Sequence, residues 1–272
     1  MIKHYDIHVD REEIFSWVVG KNQISHPDEK DCSAESHLFH ETEKELRRQI
    51  ERAAAEVESA AADRYLYSVF SLQRPDTADS DAEDGDSYSS KASSSAWDKN
   101  RSKEESIYLA KTSLVLTGSD ICSLLHDCGS CILLAVTLGA PLDRILKKTQ
   151  ISDMSDAFLL DLCASSAAEE LCNAVNRTLE EEFENRGYFL TDRFSPGYGD
   201  LPISLQGDIC RVLQAEKRIG LTVNSSDMLI PSKSITAVIG IADRPQPKKI
   251  SGCQNCRMKE TCGFRKAGKT CE

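Results

Sequence analysis

Residues 153–187 read DMSDAFLLDLCASSAAEELCNAVNRTLEEEFENRG, and the fold turns on this stretch. From Asp153 to Arg186 there is no Gly or Pro, while Leu160, Ala164, Ala167, Leu171, Ala174 and Val175 recur at helical spacing. That pattern predicts one long helix with a single buried stripe, ended by Gly187. Downstream, TDRFSPGYGDLP (191–202) reads as a turn, a further helix is expected from about Pro202 to Arg218, and GLTVNSSDMLIPSKSITAVIGIA reads as two strands around a turn near Pro231. Upstream, Leu46, Ile50, Ala54, Val57 and Ala61 mark an amphipathic helix over about 36–62, and RYLYSVFSL alternates as a strand. SIYLAKTSLVLTG reads as one strand or two short ones ending at Gly118, with Ser119 or Asp120 able to cap the helix that begins ICSLLHDC. The apolar positions of that helix continue through CILLAVTLG to Gly139, and Pro141 suits the first turn of the next helix, PLDRILKK. Helices and strands are interspersed without strict βαβ alternation, which predicts an α+β domain with a largely antiparallel sheet and long flanking helices.

Composition narrows the function. Thirty-three basic against 44 acidic residues, net −11, argues against nucleic acid as a partner, which would need a basic footprint. No apolar run approaches the roughly 20 residues of a membrane span, and the opening MIKHYDIHVDREE lacks the apolar centre of an export signal, so the expected location is the cytoplasm, with no membrane partner. Residues 75–104 are acidic and Ser-rich with almost nothing to bury, and are expected to form a disordered insertion within a domain covering 1–250.

Eleven cysteines without an export signal suggest thiols or metal ligands rather than a disulfide framework. Cys253, Cys256, Cys262 and Cys271 fall within the tail 251–272 at spacings of two, five and eight intervening residues. A C-x-x-C pair can grip one metal with both sulfurs and two further thiolates complete the shell, so the tail reads as a metal site, either zinc or an iron-sulfur cluster. Cys122, Cys128 and Cys131, near His126, sit in an apolar run and read as core packing, as do Cys163, Cys172 and Cys210.

No Walker-type phosphate loop, G-x-S-x-G elbow, HExxH or GxGxxG segment occurs, so any chemistry must come from a dispersed site. The turn at 191–202 is its most pointed element. Gly197 and Gly199 permit conformations a β-carbon forbids and Pro196 fixes the approach, giving a rigid turn that presents Arg193 and Tyr198.

Taken together, TLGAPLDR, ASSAAEELCNAV, RFSPGYGDLPISLQ, KRIGLTVNSSDMLIPSKSITAVIG and SGCQNCRMKETC resemble the activation (reactivation) domain family of vitamin B12-dependent methionine synthase, in particular its free-standing form in anaerobic bacteria. The resemblance runs from about Ser106 to Cys271, skips the acidic insertion, and is most specific at R-x-x-P-G-Y. It implies a domain that binds S-adenosylmethionine and closes over cobalamin held by a methionine synthase or corrinoid protein. Oxidised Co(II)alamin is then reduced by a flavodoxin- or ferredoxin-like donor and remethylated. On this reading Arg193 pairs with the ligand carboxylate, while Ser195, Pro196, Gly197 and Tyr198 line the face where methyl transfer occurs.

Glu169 matches a glutamate on the family's cobalamin-facing side, although spacing alone makes it a solvated helix carboxylate beside Glu170. Two features depart from the full-length enzyme's domain. IADRPQPKK and the cysteine tail stand where that domain has a tyrosine pair, and the acidic residue that grips the ligand's amino group there has no matching residue here, Asp6 and Asp10 being the only candidates. The expected function is therefore a stand-alone reactivation subunit and methyltransferase component. The alternatives are an iron-sulfur protein repairing corrinoid proteins without S-adenosylmethionine, or a non-enzymatic corrinoid-protein scaffold.

Overall fold

The structure, a computed structural model, describes residues 5–21, 34–74 and 106–246. The expected insertion 75–104 and the cysteine tail 251–272 lie outside the described residues. The element order is α1 (Arg11–Lys21), α2 (Ala34–Ala60), β1 (Arg64–Gln73), β2 (Ser106–Leu109), β3 (Val115–Thr117), α3 (Ser119–Leu124), β4 (Ser130–Thr137), α4 (Ala140–Ser152), α5 (Met154–Glu184), β5 (Phe189–Leu190), α6 (Leu205–Leu213), α7 (Ala215–Ile219), β6 (Thr222–Val223), β7 (Leu229–Ile230) and β8 (Ser234–Ala242).

Six strands form one sheet in the order β3-β2-β1-β4-β8-β5, and β6-β7 form a separate hairpin. The register pairs Leu72 with Leu109, Ile107 with Leu116 and Leu190 with Ile241, each between antiparallel strands. Beside β1, the Leu72 N–H donates to the Gly129 carbonyl at 3.0 Å and the Ala62 N–H to the Leu138 carbonyl at 2.8 Å, so β4 runs opposite to it. This is the expected α+β architecture with an antiparallel sheet.

The chain divides into two compact units, and the division falls within β1, β4, α5 and β8. The first comprises residues 1–66, 135–181 and 214–235. Its core gathers Ile50, Ala54 and Val57 of α2, Leu142 and Leu146 of α4, and Leu160, Cys163, Ala164, Ala167 and Leu171 of α5. Each fully buried leucine or isoleucine contributes about 1.5–3 kcal/mol.

Residues 5–10 are tied into this unit by polar contacts. The Arg11 guanidinium grips Glu58 at 2.6 and 3.0 Å, Glu58 also accepts the Val9 N–H at 2.9 Å, and the Tyr5 hydroxyl reaches Thr178 Oγ1 at 3.1 Å. The Arg11 hydrogen bond, reinforced by the Val9 N–H and opposed by burial, holds the Glu58 carboxyl below its usual range.

The second unit comprises residues 67–134, 182–213 and 236–272. Its described core is built from Ile107, Leu116, Ile121, Leu125, Ile132, Leu133, Ile209, Val238 and Ile239. Arg74, the last described residue after β1, donates from Nη2 to the carbonyls of Leu125 at 2.6 Å, His126 at 3.1 Å and Cys128 at 3.1 Å.

Three local expectations are corrected. The run CILLAVT is not a continuation of the preceding helix but the strand β4, whose last seven residues are all buried. A wholly apolar run carries no periodicity to distinguish the two states, and burial within a sheet selects the strand. The helix expected over about 202–218 is broken at Gln214, which adopts a left-handed φ of 55°, into α6 and α7. Finally, the stretch 220–242 yields three strands, because Asn224 Oδ1 accepts the N–H groups of Ser226 and Met228 and closes a hairpin before β8 begins. SIYLAKTSLVLTG resolves into the two short strands β2 and β3.

Candidate functional site

The turn at 191–202 belongs to the second unit and is built outward from β8. Gly240 in β8 donates its N–H to Thr191 Oγ1 at 2.8 Å and accepts the Thr191 N–H at 3.1 Å. Phe194 and Val238 then exchange both backbone hydrogen bonds, at 2.9 and 2.8 Å. This close approach depends on glycine: a Cβ at 240 would lie 2.5 Å from Cys128 Sγ and 2.9 Å from both Leu125 Cδ2 and Thr191 Cγ2.

Beyond Phe194 the chain folds on itself. Tyr198 N–H donates to Ser195 at 3.1 Å, Leu201 N–H to Tyr198 at 3.0 Å, and Gly197 N–H to Leu201 at 2.9 Å. Gly197 and Gly199 take φ values of 92° and 56°, in the left-handed region where a side chain is strained.

Asp200 fixes the turn from its far end. Its carboxylate accepts from the Ser119 N–H at 2.6 Å, the Ser119 hydroxyl at 2.8 Å and the Asp120 N–H at 3.2 Å. The N-cap position of α3 is Gly118, without a side-chain bond of its own, so the cap expected from Ser119 or Asp120 is supplied instead from a residue about 80 positions away. Partial burial pushes the Asp200 carboxyl up, but the Ser119 hydroxyl and the backbone N–H groups together outweigh it and hold the group below its usual range. The fit is tight on both sides: a Cβ at Gly118 would meet Asp200 Oδ1 at 2.5 Å, and one at Gly199 would meet Asp120 Oδ2 at 2.3 Å.

Within this frame Pro196 is buried, Ser195 and Arg193 are half-buried with Arg193 Nη1 fully covered, and the Tyr198 side chain is 63% exposed. The turn thus collects Arg193, Ser195, Pro196, Gly197 and Tyr198 on one short loop that carries a partly sunken guanidinium and an open aromatic ring.

Glu169 lies in the first unit. It is exposed and lines a cleft of about 470 Å³ between the segment His8–Trp17 and α5. The same cleft takes Asp10, whose Oδ1 caps α1 by accepting the N–H groups of Glu12 at 3.0 Å and Glu13 at 2.9 Å, together with Glu13, Trp17, Glu170 and Asn173. Glu170 is paired with Arg177 at 2.7 Å. Asp6 is exposed and does not line the cleft. At its α5 wall Ser165 accepts a hydrogen bond from Lys233 Nζ at 2.9 Å, and Lys233 is itself fixed by Asp161 at 2.8 Å. No sequence pattern singled out Trp17, His8 or Lys233; of the cleft's lining only Asp10, Glu169 and Glu170 were named from the sequence.

Cys128, Cys131, Cys163, Cys172 and Cys210 are buried and Cys122 is partly so. Burial, with a further contribution from Cys128, pushes the Cys131 thiol up to about 12, and burial pushes Cys163 and Cys210 up to about 11. These are packed thiols rather than nucleophiles. Among the described residues no group of three or more His, Cys, Asp or Glu could hold a metal ion, and no helix is long and apolar enough to cross a membrane.

An antiparallel sheet with long helices in this arrangement has a known counterpart. The chain shares its fold with the MetH reactivation domain, whose crystal structure bound to AdoHcy aligns with a TM-score of 0.53 over 99% of this chain and 86% of that chain, at 12% sequence identity. No protein-family model and no curated protein sequence match.

Proposed function

We propose that this chain is a stand-alone reactivation subunit for cobalamin-dependent methionine synthase, binding S-adenosylmethionine and supporting remethylation of cobalamin held by a partner protein. The observation that carries this reading is the half-buried Arg193 on a turn locked by Asp200, in a chain with the fold of a domain solved with AdoHcy bound. A guanidinium fork suits a carboxylate, and partial burial strengthens the pairing by excluding water. The positive φ of Gly197 lets the backbone approach a ligand closely, and the exposed Tyr198 ring offers an apolar face.

When bound, S-adenosylmethionine supplies a sulfonium methyl group to cobalamin that a flavodoxin- or ferredoxin-like donor has reduced from Co(II). The work of this chain is positioning. Arg193 holds the carboxylate, Ser195 to Gly197 contour the backbone against the ligand, and Tyr198 shields it from water. Glu169 belongs to the cobalamin-facing surface of the first unit. Cys253, Cys256, Cys262 and Cys271 form a metal site, an iron-sulfur cluster or zinc, and the chain acts in the cytoplasm.

Arg193→Ala should lose about 1.5–3 kcal/mol of S-adenosylmethionine binding, roughly a 10- to 150-fold rise in Kd, with little change in thermal stability. Calorimetric titration with a melting control measures both, and equal affinity in a folded variant would remove Arg193 from the site. Methylcobalamin formation from partner-bound Co(II)alamin, with S-adenosylmethionine and the reductant omitted in turn, tests the whole reading. The cysteine tail supports a second reading, an iron-sulfur protein repairing corrinoid proteins without S-adenosylmethionine. It is selected if iron is present and no S-adenosylmethionine binds.

A further inference from the structure

The cleft of about 470 Å³ between His8–Trp17 and α5 lies wholly within the first unit, and its volume falls in the range of ligand pockets, about 300–1,000 Å³. Its aromatic wall is Trp17, whose side chain is 43% exposed although it borders a concavity. Ile14, three residues earlier on α1, and the half-buried Leu162 of α5 add aliphatic surface.

The charged lining has one sign. Asp10, Glu13, Glu169 and Glu170 supply carboxylates, and neither arginine nor lysine lines the cleft. The cations around it are committed elsewhere: Arg177 to Glu170, Arg11 to Glu58 and Glu51, Arg47 to Glu12 and Glu43, and Lys233 to Asp161. His8 stands open at the rim with its Nδ1 3.5 Å from Glu58. These carboxylates do not converge on a point, since among the described residues no group of three or more His, Cys, Asp or Glu could hold a metal ion. The cation that complements them is therefore extended and organic, with a face for the indole and a stem for the aliphatic wall. Arginine meets all three demands: its planar guanidinium stacks on tryptophan, its fork of N–H groups pairs with a carboxylate, and its methylenes lie along apolar surface.

We infer that this cleft is the docking pocket for an arginine side chain presented by the partner protein that carries cobalamin. The choice of partner rests on the function proposed above, in which Glu169, one of the cleft's carboxylates, belongs to the cobalamin-facing surface. Tryptophan and arginine are the side chains that most often dominate interface energies, and a concave, desolvated pocket is where they do so. The net charge of −11 also draws a basic surface toward the chain before contact is made.

Two assays on the full chain separate the pocket from the partner. The first probe is the peptide acetyl-Gly-Arg-Gly-amide, with the citrulline peptide as a control of the same shape without the charge. The arginine peptide should shift the Trp17 indole N–H resonance with a Kd on the order of 1–10 mM, and the citrulline peptide should bind at least about tenfold more weakly. Trp17→Leu, and Glu13→Gln with Glu169→Gln, checked for unchanged helix content by circular dichroism and followed through the peptide's own resonances, should each weaken binding at least about fivefold. Equal binding of the two peptides, or an indole resonance unmoved at about 50 mM peptide, overturns the inference whatever the reactivation assay shows, because neither peptide involves cobalamin. Saturation by spermidine without a response to the arginine peptide would assign the cleft to a free polyamine and overturn it equally. In the second assay, binding to a cobalamin-loaded methionine synthase without a reactivation domain should weaken at least about tenfold in the same variants. Variants that lose the peptide but keep that partner at wild-type affinity overturn the docking role. A wild type that does not bind the partner at all overturns the proposed function, and with it the choice of partner, while the peptide pair decides the pocket independently.

Discussion

Replacing Asp200 with alanine tests the idea that the arginine turn is held by a helix cap supplied from a distance. The carboxylate receives three hydrogen bonds, from the Ser119 N–H, the Ser119 hydroxyl and the Asp120 N–H, at 2.6, 2.8 and 3.2 Å. It also sits at the positive end of α3. Losing a cap costs about 0.5–2 kcal/mol and losing a favourable charge at a helix start about 0.3–1. Because Asp200 is exposed and water can replace it as acceptor, solvent screening keeps the sum to about 1–2 kcal/mol. In a chain of this size that is a fall in Tm of roughly 2–6 °C.

The pH dependence has a definite sign. The carboxyl is held below its usual range, so its contribution is fully present above the unfolded value near 4 and is lost as pH falls through the lower folded value. Urea unfolding of wild type and Asp200→Ala at pH 7 should therefore differ by the full amount, and the difference should shrink below about pH 4. A difference under about 0.3 kcal/mol at pH 7, or one equally large at pH 3, would refute the cap.

Gly240→Ala should cost about 1–3 kcal/mol by overpacking, since its Cβ would fall 2.5 Å from Cys128 Sγ in a filled core; denaturant midpoints measure it, and a neutral result would show that Cys128 and Leu125 can move aside. Replacing residues 75–104 with a short Gly/Ser linker should leave Tm within about 5 °C of wild type, because that composition offers little apolar surface to offset ordering; a larger fall in a thermal melt would mean that it packs on the body. Anaerobically purified protein should carry one metal centre that is lost on single Cys→Ser changes at 253, 256, 262 or 271, and metal content below about a tenth of an equivalent would exclude a shared four-thiolate site.

Local pattern made α5 legible, because 34 residues without Gly or Pro and one buried stripe leave few alternatives to a helix. The same kind of reading misassigned β4, where apolar residues occupy every position and period carries no information. The break at Gln214 left no trace because glutamine is not a residue that announces a left-handed backbone. Arg193 to Tyr198 were readable as one turn since they are contiguous and glycine-marked. What holds the turn was not readable, because Asp200 and Ser119 meet only after the chain has folded. Asp10 and Glu169 share a cleft for the same kind of reason: a long-range fold, anchored by Arg11 on Glu58, brings together residues that no spacing relates.

Arg74 works as a rivet at the end of β1. By clasping the carbonyls of Leu125, His126 and Cys128, it fixes the position of Gln73 through its own side chain, whatever sequence follows. Ser106, buried at the start of β2, marks the other rim. Tolerance to insertion should therefore change abruptly across a single peptide bond. A reporter domain spliced after Arg74 leaves the rivet closed, whereas the same domain spliced before Arg74 pulls the guanidinium away from all three carbonyls and loosens the loop between α3 and β4.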